Sequence, residues 1–322
     1  MAEENGGDAA SLTPPVARVK VRVGDRVFYG SARGAGTFIL VTLAAVSAFL
    51  LVEGVPAITA DPNDISLLDG QNFWFWVGPL VFGTLWAATL ALLMALPLSI
   101  GIALFISHYA PRRIATPLGY LVDLLAAVPS VVYGLWGGVV LAPAIQPLYS
   151  WLGENLGFLP FFAGPASGTG RTILTAAIVL TVMVLPIITA VSREVFLQTP
   201  RLYEEASLAL GATKWEMIRT VVLPVGRGGV ISGAMLGLGR ALGETMSVAM
   251  VLSATGVVSF NLISSGNPST IAANVALSFP EAYGLNINAL IASGLILFAI
   301  TIVVNSIARW IVDRRQEFSG AN

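Results

Sequence analysis

Residues 77–107 read VGPLVFGTLWAATLALLMALPLSIGIALFIS, and this run contains no charged residue. A helix needs roughly 20 mostly apolar residues to cross a bilayer, so the run predicts a membrane-spanning helix. Pro97 inside it is tolerated because neighbouring helices can satisfy the freed backbone groups. Further apolar runs predict other spans at residues 36–58, 118–148, 172–197, 230–258 and 287–312.

The composition of the whole chain also indicates a membrane protein. Of its 322 residues, 56% are hydrophobic and 11% are charged, whereas a soluble domain carries about 25% charged residues. So little charge cannot cover a surface in water, and most of the surface is expected to face the lipid bilayer. The apolar runs are too long, and alternate too little, for a β-barrel. The predicted fold class is all-α, a polytopic membrane helical bundle with six transmembrane helices.

Lysine and arginine predict the orientation, because they are enriched near helix ends on the cytoplasmic side. The rule places both termini in the cytoplasm, which an even number of spans allows. It gives a cytoplasmic N-terminal segment (1–35), a transmembrane domain (36–312) and a cytoplasmic tail (313–322). The basic residues assigned to the cytoplasm are Arg18, Lys20, Arg22, Arg26, Arg33, Arg112, Arg113, Arg201, Lys214, Arg219, Arg227, Arg314 and Arg315.

A polar segment between the fourth and fifth predicted spans, residues 200–224, reads PRLYEEASLALGATKWEMIRTVVLP. Its apolar residues recur at steps of three or four and predict one face of an amphipathic helix. Gly211 can divide that helix into two short ones. Such a helix can pack on its own protein or dock into a groove of a partner, and periodicity alone favours neither. The residues of the predicted face are Leu208, Ala212, Trp215, Ile218 and Val222.

Two charged residues, Arg240 and Glu244, are predicted near the middle of the fifth span. Each charge at a helix centre costs roughly 2.5–3.5 kcal/mol on insertion scales. A spacing of four residues puts the two side chains on one helical face, where they can pair. One interpretation is an internal ion pair that locks helix packing. The other is a transport pathway in which Arg240 meets an anion through its planar fork of donors and Glu244 holds or releases it.

The other polar residues exclude several classes of function. The chain has no cysteine and one histidine, His108, so thiol catalysis and an all-histidine metal site are impossible. We predict no metal site, no catalytic residues and no enzyme activity. The net charge of −1 gives no argument for binding nucleic acid. Asp123 and His108 are each expected in a solvated position close to a membrane boundary.

The 200–224 segment resembles the EAA loop of the permease subunits of ABC importers. That loop reads EAA, three residues, G, nine residues, I, one residue, LP, and this chain departs from it at Ser207 and Val221. The resemblance implies a type I importer permease whose loop forms a coupling helix in a cleft of a separate ATPase. The chain itself lacks the phosphate-loop motif for ATP, so ATP and Mg²⁺ are expected on that partner. The matching positions are Glu205, Ala206, Gly211, Leu223 and Pro224.

Four stretches in order, at residues 96–111, 126–137, 206–224 and 237–251, resemble the PstC family of phosphate-specific permeases. The likeness extends over nearly the whole chain. It implies a prokaryotic plasma-membrane protein that carries inorganic phosphate with a sister permease (PstA-like), a pair of ATPase subunits (PstB-like) and an extracytoplasmic binding protein (PstS-like). The sister permease itself and a permease for another oxyanion remain alternatives. So does an ion-coupled carrier, although no inverted repeat is evident.

Overall fold

The computed structural model describes residues 23–316, and those residues form helices without any β-strand. Residues 23–49 make one compact unit and residues 50–316 a second. The helices are α1 (Val23–Thr59), α2 (Phe73–Leu104), α3 (Arg112–Ala126), α4 (Ser130–Trp136), α5 (Ala142–Leu156), α6 (Ile173–Leu197), α7 (Arg201–Ala209), α8 (Lys214–Met217), α9 (Leu223–Leu242), α10 (Met246–Val251), α11 (Ile271–Ser278) and α12 (Leu285–Gln316).

Six helical segments of the described chain are long and apolar enough to cross a membrane, which confirms the predicted six-span bundle. One π-helical turn extends α2 to Tyr109, a second joins α4 to α5, and a third joins α8 to α9. Two of the spans therefore contain more than one α-helix. The candidate spans are Gly24–Thr59, Phe73–Tyr109, Ser130–Leu156, Ile173–Leu197, Lys214–Leu242 and Leu285–Trp310.

The terminal segments differ from the predicted boundaries. Helix α1 begins at Val23, so residues 23–35 of the predicted N-terminal segment are helical. Helix α12 continues to Gln316, so the first four residues of the predicted tail are helical. Residues 1–22 and 317–322 lie outside the described part, together with Arg18, Lys20 and Arg22.

The third predicted span, residues 118–148, is wrong as one continuous helix. The chain breaks between Ala126 and Ser130, and the span proper runs from Ser130 to Leu156. Pro129 causes the break, because it disfavours helical geometry in the preceding residue and has no N–H to donate. The hydroxyl of Tyr133 donates a 2.8 Å hydrogen bond to the Leu125 carbonyl and so bridges the two pieces.

The fifth predicted span, residues 230–258, is displaced along the chain. Helical structure runs from Lys214 through a π turn to Leu242, and it ends at Gly243. Glycine favours such an ending because it loses more conformational entropy than any other residue when it enters a helix. The short helix α10 follows, and the chain then leaves helical structure until α11.

Helix α6 packs between α2 and α9 and forms the centre of the second unit. Glycines of α9 at successive turns face it closely. A Cβ on Gly226 would lie 2.7 Å from Cδ1 of Phe196, and one on Gly237 would lie 2.8 Å from Cδ1 of Ile188. Small residues permit such close backbone approach between helices in a membrane.

The end of the bundle opposite the 200–224 segment is tied together by Asn267, which is fully buried. Its side-chain oxygen accepts from the Ile173 backbone N–H at 3.1 Å, at the first residue of α6. Its amide nitrogen donates to the carbonyls of Ser264, Ser253 and Arg171 at 3.0, 3.3 and 3.4 Å. One side chain therefore fixes the loop after α10 against the start of α6.

Candidate functional site

The 200–224 segment forms two short helices, as the sequence predicted. Helix α7 ends at Ala209 and α8 begins at Lys214. Gly211 lies between them with a φ of 90°, a left-handed conformation that glycine adopts without steric cost. Thr213 then caps α8 reciprocally with Glu216, since each side chain accepts from the backbone N–H of the other residue.

The predicted apolar face of this segment divides into a buried part and an exposed part. Ile218 and Val222 are fully buried, with Met217, against Ala103, Leu104 and Phe196 of α2 and α6. The turn at Gly211 separates them from Leu208, and Trp215 points outward, so the five residues do not form one surface. The exposed apolar side chains are Leu202, Tyr203, Leu208, Leu210 and Trp215.

The segment is attached to the π-helical turn that ends α2. His108 is buried there, with 8% of its side chain exposed, so its predicted solvated position is wrong. Its Nε2 lies 3.5 Å from Oε1 of Glu204 in α7, and its Nδ1 lies 2.7 Å from Oγ of Ser107. The ammonium of Lys214 in α8 lies 4.9 Å from the ring centroid of Tyr109. Both short helices are thereby joined to one span.

The motif residues of the segment lie at its two ends and at its turn. Glu205 and Ala206 are exposed on α7, one residue after the Glu204 that faces His108. Leu223 and Pro224 open α9 directly after the π-helical turn Ile218–Val222, so Pro224 lies within a continuous helical segment. The segment therefore presents an exposed surface on α7 and continues directly into a long span.

Arg240 and Glu244 do not pair as predicted. Arg240 lies in the last turn of α9, whereas Glu244 lies beyond the helix end, between Gly243 and α10. No ion pair joins these two residues, because the helix that would have aligned them has ended. Glu244 is 8% exposed, and its Oε1 accepts from the Ser247 backbone N–H at 3.3 Å. It caps α10 instead.

Arg240 lies near mid-depth in the bundle. Gly237, one turn before it, faces Val184 and Ile188, which are close to the middle of α6. The Nε of Arg240 is buried and has no hydrogen-bond partner. Tyr133 of α4 lies within electrostatic range of Arg240. The structure thus brings Arg240 near Tyr133 rather than into an ion pair with Glu244.

Sequence reasoning missed Tyr133 and the role of His108. Tyr133 stands within residues 126–137, one of the stretches that carried the family resemblance, but nothing local indicated that its hydroxyl would approach Arg240. The contact of His108 with Glu204 spans 96 residues of sequence. The only sequence feature that could have drawn attention to His108 is that the single histidine of the chain directly follows a predicted span.

Comparison with known proteins places this architecture in a family. The model of the binding-protein-dependent transport system inner membrane component matches residues 95–317. A permease from a bacterial ABC transporter that imports the acidic polysaccharide alginate aligns with a TM-score of 0.62 at 16% identity, over 90% of this chain and 96% of that one. At 16% identity, this structural similarity shows that the two chains share a fold.

Relatives of known name are much closer in sequence. "Phosphate transport system permease protein PstC 2" of Mycobacterium tuberculosis is 45% identical over 298 residues, which are 89% of this chain and 91% of the relative. "Phosphate transport system permease protein PstC" of Mycobacterium leprae is 43% identical over 90% of this chain and 94% of its own length. The chain therefore belongs to the binding-protein-dependent transport system inner membrane component family, together with the PstC proteins that it resembles over about 90% of its length.

Proposed function

We propose that the chain is the permease subunit of an ATP-binding-cassette importer that moves inorganic phosphate across the prokaryotic plasma membrane by alternating access. The observation that carries the proposal is Arg240, a cation at mid-depth whose guanidinium Nε is buried without a partner. A buried unpaired charge is costly, and it is retained where a ligand of opposite sign visits it. The names of the PstC relatives support phosphate as that ligand.

Arg240 would stabilise phosphate transiently in the pathway. Its rigid fork of donors matches two oxygens of a phosphate at once. The Tyr133 hydroxyl already donates its proton to the Leu125 carbonyl, so it has none left to donate to an anion. Glu244 contributes a nearby negative charge that opposes tight retention. A single cation without further hydrogen-bond donors binds an anion weakly enough to release it.

The 200–224 segment would couple ATP hydrolysis to the spans. Its exposed apolar side chains, with Leu210 at 90% exposure, offer a surface that a protein partner can cover. A force on α7 reaches α2 through the Glu204–His108 contact and reaches α9 through the continuous helix from Lys214. Glu205, Ala206, Gly211, Leu223 and Pro224 are the positions at which we propose this coupling.

Membership of the family implies an ATPase and a substrate-binding protein as partners. We propose a PstB-like ATPase pair that holds ATP and Mg²⁺, a PstA-like sister permease and a PstS-like extracytoplasmic binding protein. The ATPase would meet the 200–224 segment in the cytoplasm, and both termini would lie on that side, as the basic residues indicate. No chemistry on phosphate is assigned to this chain, whose role is transport.

The test is Arg240→Gln in the assembled transporter, reconstituted in proteoliposomes and supplied with ATP and the binding protein. Loss of charge-assisted hydrogen bonds worth about 1.5–3 kcal/mol predicts at least about a tenfold fall in phosphate uptake. Arg113→Gln on α3 is the matched control, since that arginine is exposed at the start of α3, at the end of the bundle, whereas Arg240 lies near mid-depth. Uptake by Arg240→Gln at the rate of the control would refute the pathway role.

Two further arms of the assay separate the alternatives. Competition by sulfate, molybdate and arsenate identifies the transported oxyanion, and phosphate uptake that sulfate and molybdate leave unchanged is expected. Omission of the ATPase subunit should abolish uptake, whereas a self-sufficient ion-coupled carrier would continue. Co-purification would show whether a PstA-like permease is present beside this chain, which separates it from the sister subunit.

A further inference from the structure

A second group of arginines lines a cavity of about 460 Å³ at the end of the bundle that carries the 200–224 segment. The cavity lies between α3, the turn that ends α2, the last turns of α6 and the start of α7. Its volume falls within the range of roughly 300–1,000 Å³ that is usual for small-molecule sites. The polar side chains that line it are Ser107, Arg112, Thr116, Tyr120, Asp123, Arg193 and Arg201.

The charges in this cavity do not balance. Three guanidinium groups face one carboxylate, that of Asp123. Among the residues that the structure describes, the side chains of Arg112, Arg193 and Arg201 form no ion pair and no hydrogen bond. The Nε of Arg193 is buried as well. Arg112, Arg201 and Asp123 are exposed to solvent, whereas the buried Nε of Arg193 has no hydrogen-bond partner, and an anion that enters the cavity would satisfy it.

Arg193 is held in place by the shape of α3. A Cβ on Gly119 would overlap Nη1 of Arg193, so the guanidinium rests directly against the α3 backbone. Any larger residue at position 119 would displace it. The contact fixes a side chain that would otherwise be long and mobile, and such preorganisation lowers the entropic cost of binding.

Helix α3 is amphipathic, and its polar side forms a wall of the cavity. Arg112, Thr116 and Asp123 recur at helical spacing on that side. Ile114, Leu121 and Leu124 on the other side are exposed, as expected of a surface in contact with lipid. The polar residues of α3 are thus directed toward the arginines of α6 and α7.

We propose that Arg112, Arg193 and Arg201 form a second anion site, separate from Arg240, which takes a phosphate group. The three cations and Asp123 leave a surplus of two positive charges, which matches a phosphate dianion. Ionised Asp123 can only accept hydrogen bonds, so it favours a phosphate that carries a proton over sulfate, which carries none near neutral pH. A bound phosphate group would bridge α3, α6 and α7, and would restrain the first helix of the 200–224 segment.

The phosphate group can belong to free inorganic phosphate or to the headgroup of an anionic lipid, and two probes distinguish them. The full-length chain carries Arg240→Gln, so that the pathway arginine is silent, and is placed in phosphatidylcholine nanodiscs. Binding of radiolabelled inorganic phosphate is then measured. A second preparation contains phosphatidylglycerol, and lipids retained by the protein are counted by native mass spectrometry.

We expect saturable binding of one probe, weakened at least about tenfold by Arg193→Gln and unchanged by the matched Arg309→Gln. Loss of phosphate binding supports a free-phosphate site, and loss of retained phosphatidylglycerol supports a headgroup site. Arg112→Gln, at an exposed position, repeats the test should Arg193→Gln fail to give monodisperse protein. If neither variant changes either probe, the second site is refuted. The Arg240 pathway is unaffected by that outcome, since it is judged by transport.

Discussion

Single residues decide the geometry of the proposed pathway around Arg240. Arg240 and Glu244 are four positions apart, yet Gly243 ends α9 between them and each makes separate contacts. Glu244 caps α10 through the Ser247 N–H, whereas the Nε of Arg240 has no partner. A carboxylate already engaged in capping competes less with an incoming anion than one paired with the arginine. The corrected geometry therefore fits a pathway role better than a locking ion pair does.

The turn at Gly211 can be tested by substitution. Gly211→Ala places a side chain at a φ of 90°, which costs roughly 1–2 kcal/mol. Open space surrounds the position, so the cost is conformational rather than a clash. We expect the angle between α7 and α8 to change and the phosphate imported per ATP hydrolysed to fall. The ratio is measured in proteoliposomes of the assembled transporter.

Gly211→Asn is the matched control, because asparagine tolerates the left-handed region better than alanine does. It should retain most of the coupling ratio. Equal, wild-type ratios for both variants would show that this turn does not transmit the motion.

The helices themselves are held by close approach between α6 and α9. The face that α9 turns toward α6 is built of glycines, so the backbones lie closer than larger side chains would allow. On the other flank of α6, Thr181 Oγ1 donates to the Ala91 carbonyl of α2 at 3.2 Å, and Ser99 Oγ donates to the Leu185 carbonyl at 3.1 Å. Helix α6 is thus packed closely against α9, and both packed and hydrogen-bonded against α2.

Two adjacent glycines of α9 test this packing. A Cβ at Gly229 would overlap the side chain of Val195, whereas a Cβ at Gly228 meets nothing within 4 Å. Gly229→Ala should cost about 1–3 kcal/mol by overpacking and lower the thermal unfolding temperature of the purified protein. Gly228→Ala changes the same atoms in open space and should be neutral or slightly stabilising. Equal unfolding temperatures for the two variants would contradict the packing.

The orientation of the whole molecule can be tested without background, because the chain contains no cysteine. Ala209→Cys on α7 and Gly168→Cys in the loop before α6 stand at exposed positions on opposite ends of the bundle. In right-side-out membrane vesicles, a membrane-impermeant thiol reagent should label position 168 and not position 209. Inverted vesicles should give the opposite pattern. The reverse result in both preparations would overturn the assignment of the termini to the cytoplasm.

The overall class of the molecule was predictable because lipid imposes a simple rule on composition. Long uncharged runs such as residues 77–107 can be little else than spanning helices, and the structure confirms six. Breaks within spans were not predictable. Pro97 and Pro186 continue inside helices while Pro129 interrupts one, since the outcome depends on neighbours that take up the freed backbone groups. The Tyr133 hydroxyl at the Leu125 carbonyl is such a neighbour.

The residues of the candidate sites stood out in the sequence, whereas their arrangement did not. Scarcity of charge singled out Arg240 and Glu244, and motif spacing singled out Glu205 and Gly211. Their geometry depended on where α9 stops, which a single glycine among many does not reveal. The cavity around Arg193 joins residues from four parts of the chain, so no local pattern could indicate it.

The interruption between α9 and α10 has an electrostatic consequence for the two charges beside it. A helix carries a partial negative charge at its C-terminus and a partial positive charge at its N-terminus, each roughly half an elementary charge. Arg240 stands in the last turn of α9 and Glu244 precedes the first turn of α10, so each side chain lies near the helix end of opposite sign. Backbone dipoles can thus stabilise both charges separately in a medium of low polarity. An anion that reaches Arg240 then has no salt bridge to break, because the partial charge at the helix end stabilises the arginine without neutralising it.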